Sequence, residues 1–248
     1  MKNIVWFSEG TKDQKELLGG KGANLAEMTS IGLPVPKGFI VTTDVCRQFL
    51  EKQQLAQPLV EEIIRAVALL EERTQKFFGG KKQPLLVSVR SGAKYSMPGM
   101  MDTILNLGLT DQTVQTLAAN TKNPTFAYDC YRRLIQMYGD VVKGIDKSHF
   151  ESYLTTYKQE KGYSSDQLMT AEDWQKICQV FQSIYMEHTQ ERFPQDPLEQ
   201  LLSAVQAVFR SWNNPRAITY RNIHAIAHDV GTAVTVQEMV FGNSGAAS

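Results

Sequence analysis

The strongest constraint on the fold is a sequence pattern that changes near residue 111 and changes back before residue 231. Glycine is scarce between residues 111 and 212, and apolar residues recur there at helical spacing, as in Trp174, Ile177 and Phe181. Residues 231–240 then alternate and are rich in β-branched side chains, which is typical of a strand. This order predicts a helical insertion between two segments of mixed α and β character.

We therefore expect an α+β fold made of three parts. Residues 1–110 form the first part of an α/β subdomain, residues 111–197 form a helical subdomain, and residues 198–248 return to the α/β subdomain. Apolar runs and periodicity predict strands and helices within the first part, and Thr43 is a candidate helix cap. The expected strands are Ile4–Phe7, Phe39–Thr42, Leu85–Val89 and Met101–Leu107, and the expected helices are 24–31 and 58–78.

Charge and cysteine content narrow the functional classes. Lys+Arg and Asp+Glu both total 26, so the chain has no general electrostatic attraction to nucleic acid or to a membrane surface. Cys46, Cys130 and Cys178 are widely spaced and form no CxxC pair, which favours three reduced thiols. No apolar run approaches the ~20 residues of a membrane span, so we expect a cytoplasmic protein.

The first candidate site is the glycine-rich run Gly19-Gly20-Lys21-Gly22 before a predicted helix. Glycines let the backbone approach a phosphate, and the amides at a helix N-terminus favour an anion. The run lacks the spacing and the Ser/Thr of a Walker A loop. Taken alone, the run is better explained by a flexible turn before a helix than by a phosphate site.

Two further candidates follow the predicted strand at Leu85–Val89. Arg90 carries a fork of donors that suits phosphate oxygens, although an isolated arginine is more often part of a structural ion pair. The segment Ser96–Thr103 contains a Pro-Gly turn between methionines, which suit either a nucleotide base or a core. Asp102 in that segment is a candidate metal ligand or turn cap.

The four histidines give no catalytic pattern. None has a Ser/Asp or Cys partner in a recognisable order. His224 and His228 are four residues apart and would share a face if they were helical, but the HEXXH pattern is absent. Surface or core histidines are the better interpretation, and we expect no metal site in the chain.

The candidate motifs occur together in an order that resembles the pyruvate, phosphate dikinase family. The resemblance covers nearly the whole chain, and the SMPGMMDT run distinguishes it from the related phosphoenolpyruvate synthases. It is carried by LLGGKGANLAEMTSIGLPVPKGFIVTT, LLVSVRSGAKYSMPGMMDTILNLGL, FAYDCYRRLIQMYGDVV, FPQDPLEQLLSAVQAVFRSWNNPRAITYR and GTAVTVQEMVFGN.

This resemblance implies an ATP-grasp-like fold that binds Mg-ATP. In this family the β,γ-diphosphate portion of ATP passes to a histidine on a swivelling domain, and the resulting phosphohistidine phosphorylates pyruvate in a separate barrel. The implied ATP-binding residues are Lys21 and Arg90 at the triphosphate, Gly99, Met101 and Thr103 in a loop over the nucleotide, and Gln237, Met239 and Val240 beside the adenine. Lys94 departs from the family, which usually has arginine there, so bidentate geometry is lost.

The same resemblance implies that this sequence holds an incomplete nucleotide site. The family's acidic magnesium ligands follow the GNSG run, and the sequence stops at Ser248 before any counterpart of them. The carrier histidine is also absent, so we expect no catalytic residue in this chain, no activity of the chain alone, and a monomer. The alternative is a stand-alone truncated paralogue that acts as a non-catalytic nucleotide- or protein-binding module.

Overall fold

The computed structural model describes residues 2–241, and the predicted GNSGAAS loop at 242–248 lies outside them. Seven strands occur in the described residues: β1 (Ile4–Trp6), β2 (Gly38–Val41), β3 (Phe77–Phe78), β4 (Pro84–Leu85), β5 (Val87–Gly92), β6 (Thr103–Leu107) and β7 (Ala233–Glu238). Five of them form one antiparallel sheet in the order β1-β2-β7-β5-β6. The remaining two, β3 and β4, form a short parallel pair.

The helices of the described part make up most of its remaining length. They are α1 (Lys15–Ser30), α2 (Thr43–Lys52), α3 (Gln57–Thr74), α4 (Thr113–Thr121), α5 (Pro124–Lys143), α6 (Ser148–Lys161), α7 (Ala171–Thr189), α8 (Pro197–Ser211) and α9 (Pro215–Ile223), with a short 3₁₀ helix at Asp166–Leu168. No helix among residues 2–241 is both long enough and apolar enough to cross a bilayer. Helices with an antiparallel sheet give the α+β architecture that the sequence predicts.

One face of the five-stranded sheet is apolar and forms the main core. Residues paired directly across antiparallel strands lie on the same face, and the row Phe39, Val236 and Val89 is fully buried. The same buried cluster continues into the helices through Phe181 of α7 and Phe209 of α8. The core therefore joins the sheet to the helices without a break.

The opposite face of the sheet is divided into an apolar part and a polar part. On β1 and β2, Val5 and Ile40 are buried in a small cluster with Leu18 of α1. In the same cross-strand row, β7 and β5 carry Thr235 and Arg90. Helix α1 thus covers the apolar part, and polar side chains occupy the rest of that face.

Residues 113–189 contain helices and no strand within the described structure, as their periodicity predicts. Because helix α5 packs directly on β6 and shares the main core with the sheet, the two regions are not isolated from each other. The division into subdomains at residues 110 and 197 stays a prediction.

The predicted strands and helices occur with shifted ends, but strands β3 and β4 and helices α4, α6 and α9 were not predicted from the sequence. Strand β5 continues beyond the predicted Leu85–Val89 to Gly92, and α1 begins at Lys15 rather than at residue 24. The predicted cap at Thr43 is wrong, because Thr42 is the residue before the first turn of α2. The Thr43 hydroxyl instead donates a hydrogen bond of 2.7 Å to the carbonyl of Glu16.

The three cysteines are unpaired and buried, as expected for reduced thiols. Burial raises the pKa of the Cys46 and Cys130 thiols to about 12. A thiol with such a pKa is almost fully protonated at neutral pH, so these groups are packing elements rather than nucleophiles.

The N-terminus of α7 is fixed by a buried carboxylate. Asp173 accepts hydrogen bonds from the Thr170 amide at 2.9 Å and from the Tyr157 hydroxyl at 2.7 Å, in a capping box completed by the Thr170 side chain. Burial acts to raise the pKa of Asp173, but the hydrogen bonds from Thr170, Tyr157 and Tyr163 outweigh it and lower the pKa to about 2. Ionised Asp173 is therefore a stabilising element of the helical region.

We predict that Asp173→Asn lowers the free energy of unfolding at neutral pH by about 1–3 kcal/mol, because charge-assisted hydrogen bonds are lost. A carboxyl with a lowered folded pKa stabilises the fold above its unfolded pKa, and that contribution disappears as the pH falls to the folded pKa. The difference between Asp173→Asn and the unmodified chain should therefore shrink between pH 4 and pH 2, near the values 3.8 and 2. Urea unfolding across this pH range measures it.

Asp166→Asn is the matched control. Asp166 pairs with Lys158 at 2.8 Å on the surface, where the Asp166 side chain is exposed and the Lys158 side chain is half-buried. Exposed pairs contribute about 0–1 kcal/mol, so this variant should stay close to the unmodified chain. Equal losses in the two variants would contradict the assignment of the stabilisation to Asp173.

Candidate functional site

A break in helix α1 at Gly19 brings the glycine-rich run against the end of strand β5. Gly19 has φ 69° and ψ 166°, a conformation that essentially only glycine adopts. A Cβ atom at Gly19 would lie 1.6 Å from the carbonyl oxygen of Gly92. The Gly20 amide donates to the carbonyl of Ala93 at 2.8 Å. The helical turns that follow Gly19 therefore start directly beside the loop after β5.

A cleft of about 450 Å³ lies between this helix start and the loop. Its walls come from two segments that are far apart in sequence, and no acidic residue of the described chain is among them. The cleft is lined by Lys15, Gly20, Lys21, Asn24, Ser91, Gly92, Ala93, Lys94, Tyr95, Ser96, Met97, Pro98, Gly99 and Met101.

Three lysines give the cleft an excess of positive charge. Within residues 2–241, Lys15 and Lys21 have neither an ion pair nor a side-chain hydrogen bond. Lys94 pairs with Glu16 at 2.6 Å, and this hydrogen bond raises the pKa of Lys94 and lowers that of Glu16. Two unbalanced cations beside a helix start form a site that attracts an anion.

The wall opposite the helix start is formed by residues 96–102, here called the methionine loop. The Met100 amide donates to the carbonyl of Met97 at 3.2 Å, and Gly99 has φ 72°, so the predicted Pro-Gly turn is confirmed. Met97 is buried against Trp212 of the segment after α8. Met101 is half-buried and packs against the same cluster, and both methionines line the cleft.

Arg90 lies inside strand β5, two residues before its end, and not at the strand end as expected. Its neighbours in the sheet are Thr103 and Thr235, and its side chain is exposed. No carboxylate in the described residues pairs with it, which removes the structural ion pair as its explanation. Next to it, the buried hydroxyl of Thr235 has no hydrogen-bond partner in the described part of the chain.

The remaining predicted residues lie at the other end of β7. Gln237 is buried, and its side-chain amide donates to the carbonyl of Pro36 at 3.1 Å. The Met239 amide donates to the carbonyl of Leu86 at 2.8 Å. Met239 and Val240 line a second cleft, of about 500 Å³, together with Lys76 and Lys82.

The structure therefore divides the eight predicted residues into three groups. Lys21, Gly99 and Met101 line one cleft, Arg90 and Thr103 are paired in the sheet, and the last three follow β7 to its far end. That Lys21 and Arg90 face one cleft stays a prediction, because Arg90 is not among the lining residues.

Sequence reasoning missed Lys15 and Asn24 in the cleft. Asn24 follows Lys21 by three residues in a helix, a spacing that places two side chains on one face and would have indicated it. Lys15 precedes the Gly19 break, so helical spacing alone carried no signal for it.

The family model described as "Pyruvate phosphate dikinase, AMP/ATP-binding domain" matches residues 15–77 and 55–248 of this chain. The chain belongs to this family. It is 54% identical to a pyruvate, phosphate dikinase of Clostridium symbiosum over 100% of this chain and 28% of that protein. A chloroplastic pyruvate, phosphate dikinase of Mesembryanthemum crystallinum is 52% identical over 96% of this chain and 25% of its own length. The corresponding enzyme of Giardia intestinalis is 47% identical over 98% and 28%.

The chain thus spans about a quarter of the length of these relatives. The matches extend along both walls of the lysine-containing cleft, since residues 15–24 and 91–101 fall within the family model.

The structure places the candidate metal ligands of the sequence in other contacts, and the expected absence of a metal site stays a prediction. Helix α9 ends at Ile223, so His224 and His228 do not share a helix, and His228 instead accepts a hydrogen bond from Arg221 at 3.0 Å. Asp102 is occupied by an ion pair with Arg216. Residues 2–241 contain no group of three or more side chains arranged to hold a metal ion.

We predict that Gly19→Ala destabilises the chain far more than Gly32→Ala. Both glycines have positive φ, but a Cβ at Gly32 would meet no atom within 4 Å, whereas a Cβ at Gly19 collides with the backbone of Gly92. Gly32→Ala should lose about 1–2 kcal/mol from backbone strain alone. Gly19→Ala should lose more than about 3 kcal/mol or fail to fold. Equal free energies of unfolding in urea would contradict this close approach.

Proposed function

We propose that this chain binds the triphosphate of Mg-ATP in the cleft between the start of the second part of α1 and the methionine loop. The proposal rests on the position of Lys21. Its side chain has no ion pair within residues 2–241, and it lies at a helix start in a cleft that no acidic residue of the described chain lines. Membership of a family named for AMP/ATP binding supports the choice of ligand.

The physical argument is the balance of charge in the cleft. Lys15 and Lys21 repel each other without a bound anion, and a polyphosphate replaces that repulsion by attraction to both. The amides at the helix start add donors aimed at the same volume. In this proposal Lys21 contacts phosphate oxygens directly, and Gly99 and Met101 cover the nucleotide from the opposite wall.

We place Arg90 and Thr103 along the path of the nucleotide and the adenine near Gln237, Met239 and Val240. β7 pairs with Gly92 beside the lysine-containing cleft at one end and leads to Met239 at the other. Six residues of strand span roughly 20 Å, about the length of an extended nucleoside triphosphate. This arrangement supports an ATP-grasp-like site, in which a sheet carries the nucleotide along one face.

The role in a larger reaction is inferred from the names of the relatives. Pyruvate, phosphate dikinases would use ATP, phosphate and pyruvate, and this chain would contribute the ATP-binding part of that reaction. Phosphoryl transfer depends mainly on positioning and on charge stabilisation, which are the two properties that this cleft offers. We propose that magnesium enters with the nucleotide, because no carboxylate of the described residues lines the cleft. Transfer to pyruvate would require a swivelling histidine domain and a pyruvate-binding barrel as partners.

We also propose a cytoplasmic protein without a nucleic-acid or membrane partner. The equal numbers of acidic and basic residues and the three unpaired cysteines support this location.

We predict that Lys21→Gln and Arg90→Gln each weaken the binding of Mg-ATP by about tenfold to a hundredfold, because each removes a charge-assisted contact. Their melting temperatures should stay close to that of the unmodified chain, since neither side chain has an ion pair to lose within residues 2–241. Titration calorimetry with Mg-ATP and with magnesium tripolyphosphate measures affinity, and the tripolyphosphate should detect the Lys21 contact without the base.

Arg65→Gln is the control for the loss of one positive charge. Arg65 is exposed on α3 and makes only a long contact of 3.8 Å with Glu61. This variant should bind Mg-ATP as the unmodified chain does. Lys21→Gln with unchanged affinity for both ligands would contradict the proposed function.

A further inference from the structure

We propose that Arg216 of helix α9 is a positioning residue that holds the methionine loop in place over the cleft. This inference rests on the proposed function and extends it to a side chain that does not line the cleft. Arg216 lies 114 residues after Asp102 in sequence, and its guanidinium pairs with the carboxylate of Asp102. Its Nε atom donates a second hydrogen bond to the carbonyl of Met100 at 3.2 Å. One guanidinium therefore binds both a side chain and the backbone of the loop.

The contact at Asp102 is shared by a second residue of the same region. The side-chain amide of Asn214, the residue before α9, donates to the other oxygen of Asp102 at 3.3 Å. Both oxygens of the carboxylate are thus held, and the Asp102 side chain is mostly buried. A planar fork that contacts a carboxylate and a carbonyl at once fixes orientation, which a lysine at this position would not do.

The other end of the loop is held by the same helix. The Tyr220 hydroxyl donates to the carbonyl of Ser96 at 3.3 Å, and Tyr220 follows Arg216 by one helical turn. Met97 packs against Trp212 and Ala217. Helix α9 therefore contacts the loop at its start and at its end.

These contacts leave the tip of the loop free to meet a ligand. Pro98 and Gly99 form the turn that lines the cleft, and a Cβ at Gly99 would meet no atom within 4 Å. The loop is thus anchored at both sides of a tip that faces the cleft.

Helix α9 is itself anchored without Arg216. Arg221 is fully buried, stacks over the ring of Trp212 at 4.2 Å and donates to the carbonyl of Trp212 and to His228. The side chain of Arg216, by contrast, is half exposed. Removing Arg216 should therefore release the loop and leave the helix in place.

The competing explanation is a simple attraction between Arg216 and the phosphates of ATP. The two explanations predict opposite changes in the affinity for Mg-ATP when Asp102 is replaced by asparagine. Asp102→Asn removes a negative charge near the cleft and frees Arg216. Direct attraction therefore predicts tighter binding of Mg-ATP, whereas loss of the loop position predicts weaker binding. Asp140→Asn is the matched control, because it removes a negative charge from the same region without touching the loop. Burial, and then the charge of Asp102, raise the pKa of Asp140 on α5, so the two carboxylates lie near each other. The Asp140 side chain has no hydrogen bond to the loop.

The experiment compares Arg216→Gln, Arg216→Lys, Asp102→Asn, the double variant Arg216→Gln/Asp102→Asn and Asp140→Asn in the 248-residue chain. Calorimetry with Mg-ATP gives affinity, and hydrogen exchange without nucleotide reports the loop through the Met100 amide. We expect the first three variants to bind about threefold to tenfold more weakly and the double variant to lose no more than either single variant. Hydrogen exchange at the Met100 amide should be faster in the four variants that change Arg216, Asp102 or both. Asp140→Asn should match the unmodified chain in both affinity and exchange.

Three results would overturn this inference: tighter binding in Asp102→Asn, affinity retained in Arg216→Lys, or unchanged exchange at Met100 in every variant. Failure of the unmodified chain to bind Mg-ATP would instead contradict the proposed function. In that case, the exchange rates measured without nucleotide still decide whether Arg216 holds the loop.

Discussion

The contact between the backbones of Gly19 and Gly92 determines where every other part of the candidate site lies. The carbonyl oxygen of Gly92 would lie 1.6 Å from a Cβ atom at Gly19. Helix α1 therefore approaches the end of β5 so closely that no side chain fits between the two backbones. This approach turns the helix start toward the loop after β5 and creates the cleft between them. Any larger side chain at Gly19 would separate the two walls, because the opposing atom is backbone and has no rotamer to change.

The second feature of the site is charge that the fold leaves unbalanced. Thirteen ion pairs occur among residues 2–241, and they involve half of the 26 lysine and arginine side chains. Lys15, Lys21 and Arg90 are among the side chains without an ion pair, and the two lysines line the same cleft. Lys15 and Lys21 line a cleft that has no acidic residue among its described walls, so a bound anion would supply the missing balance of charge.

Local patterns predicted the elements well and the contacts between them poorly. Alternation in β7 and helical spacing in α7 depend on neighbouring residues alone, so both were readable from the sequence. The turn at Pro98 and Gly99 was readable for the same reason. Which of two adjacent glycines takes a positive φ was not, because the choice of Gly19 depends on Gly92, more than seventy residues away.

The same limit explains the other differences between sequence and structure. Met97 and Met101 are alike in sequence, and only the packing around Trp212 shows that Met97 is buried while Met101 stays half-buried, although both line the cleft. The partner of Asp102 is Arg216, whose role depends on how α9 packs after the long helical region. Arg90 could not be separated from a structural ion pair until the surrounding carboxylates were placed.

Lys94 shows how a departure from the family pattern can remain compatible with an anion site. The lysine lines the cleft but is already paired with Glu16, whose side chain is largely exposed. Water screens an exposed pair of this kind strongly, so a bound polyanion carrying several charges would compete with Glu16 for the ammonium group. A lysine also rotates freely and presents a point charge, whereas an arginine offers a rigid fork. The site can therefore keep the attraction of a third cation while giving up the bidentate geometry that an arginine at residue 94 would supply.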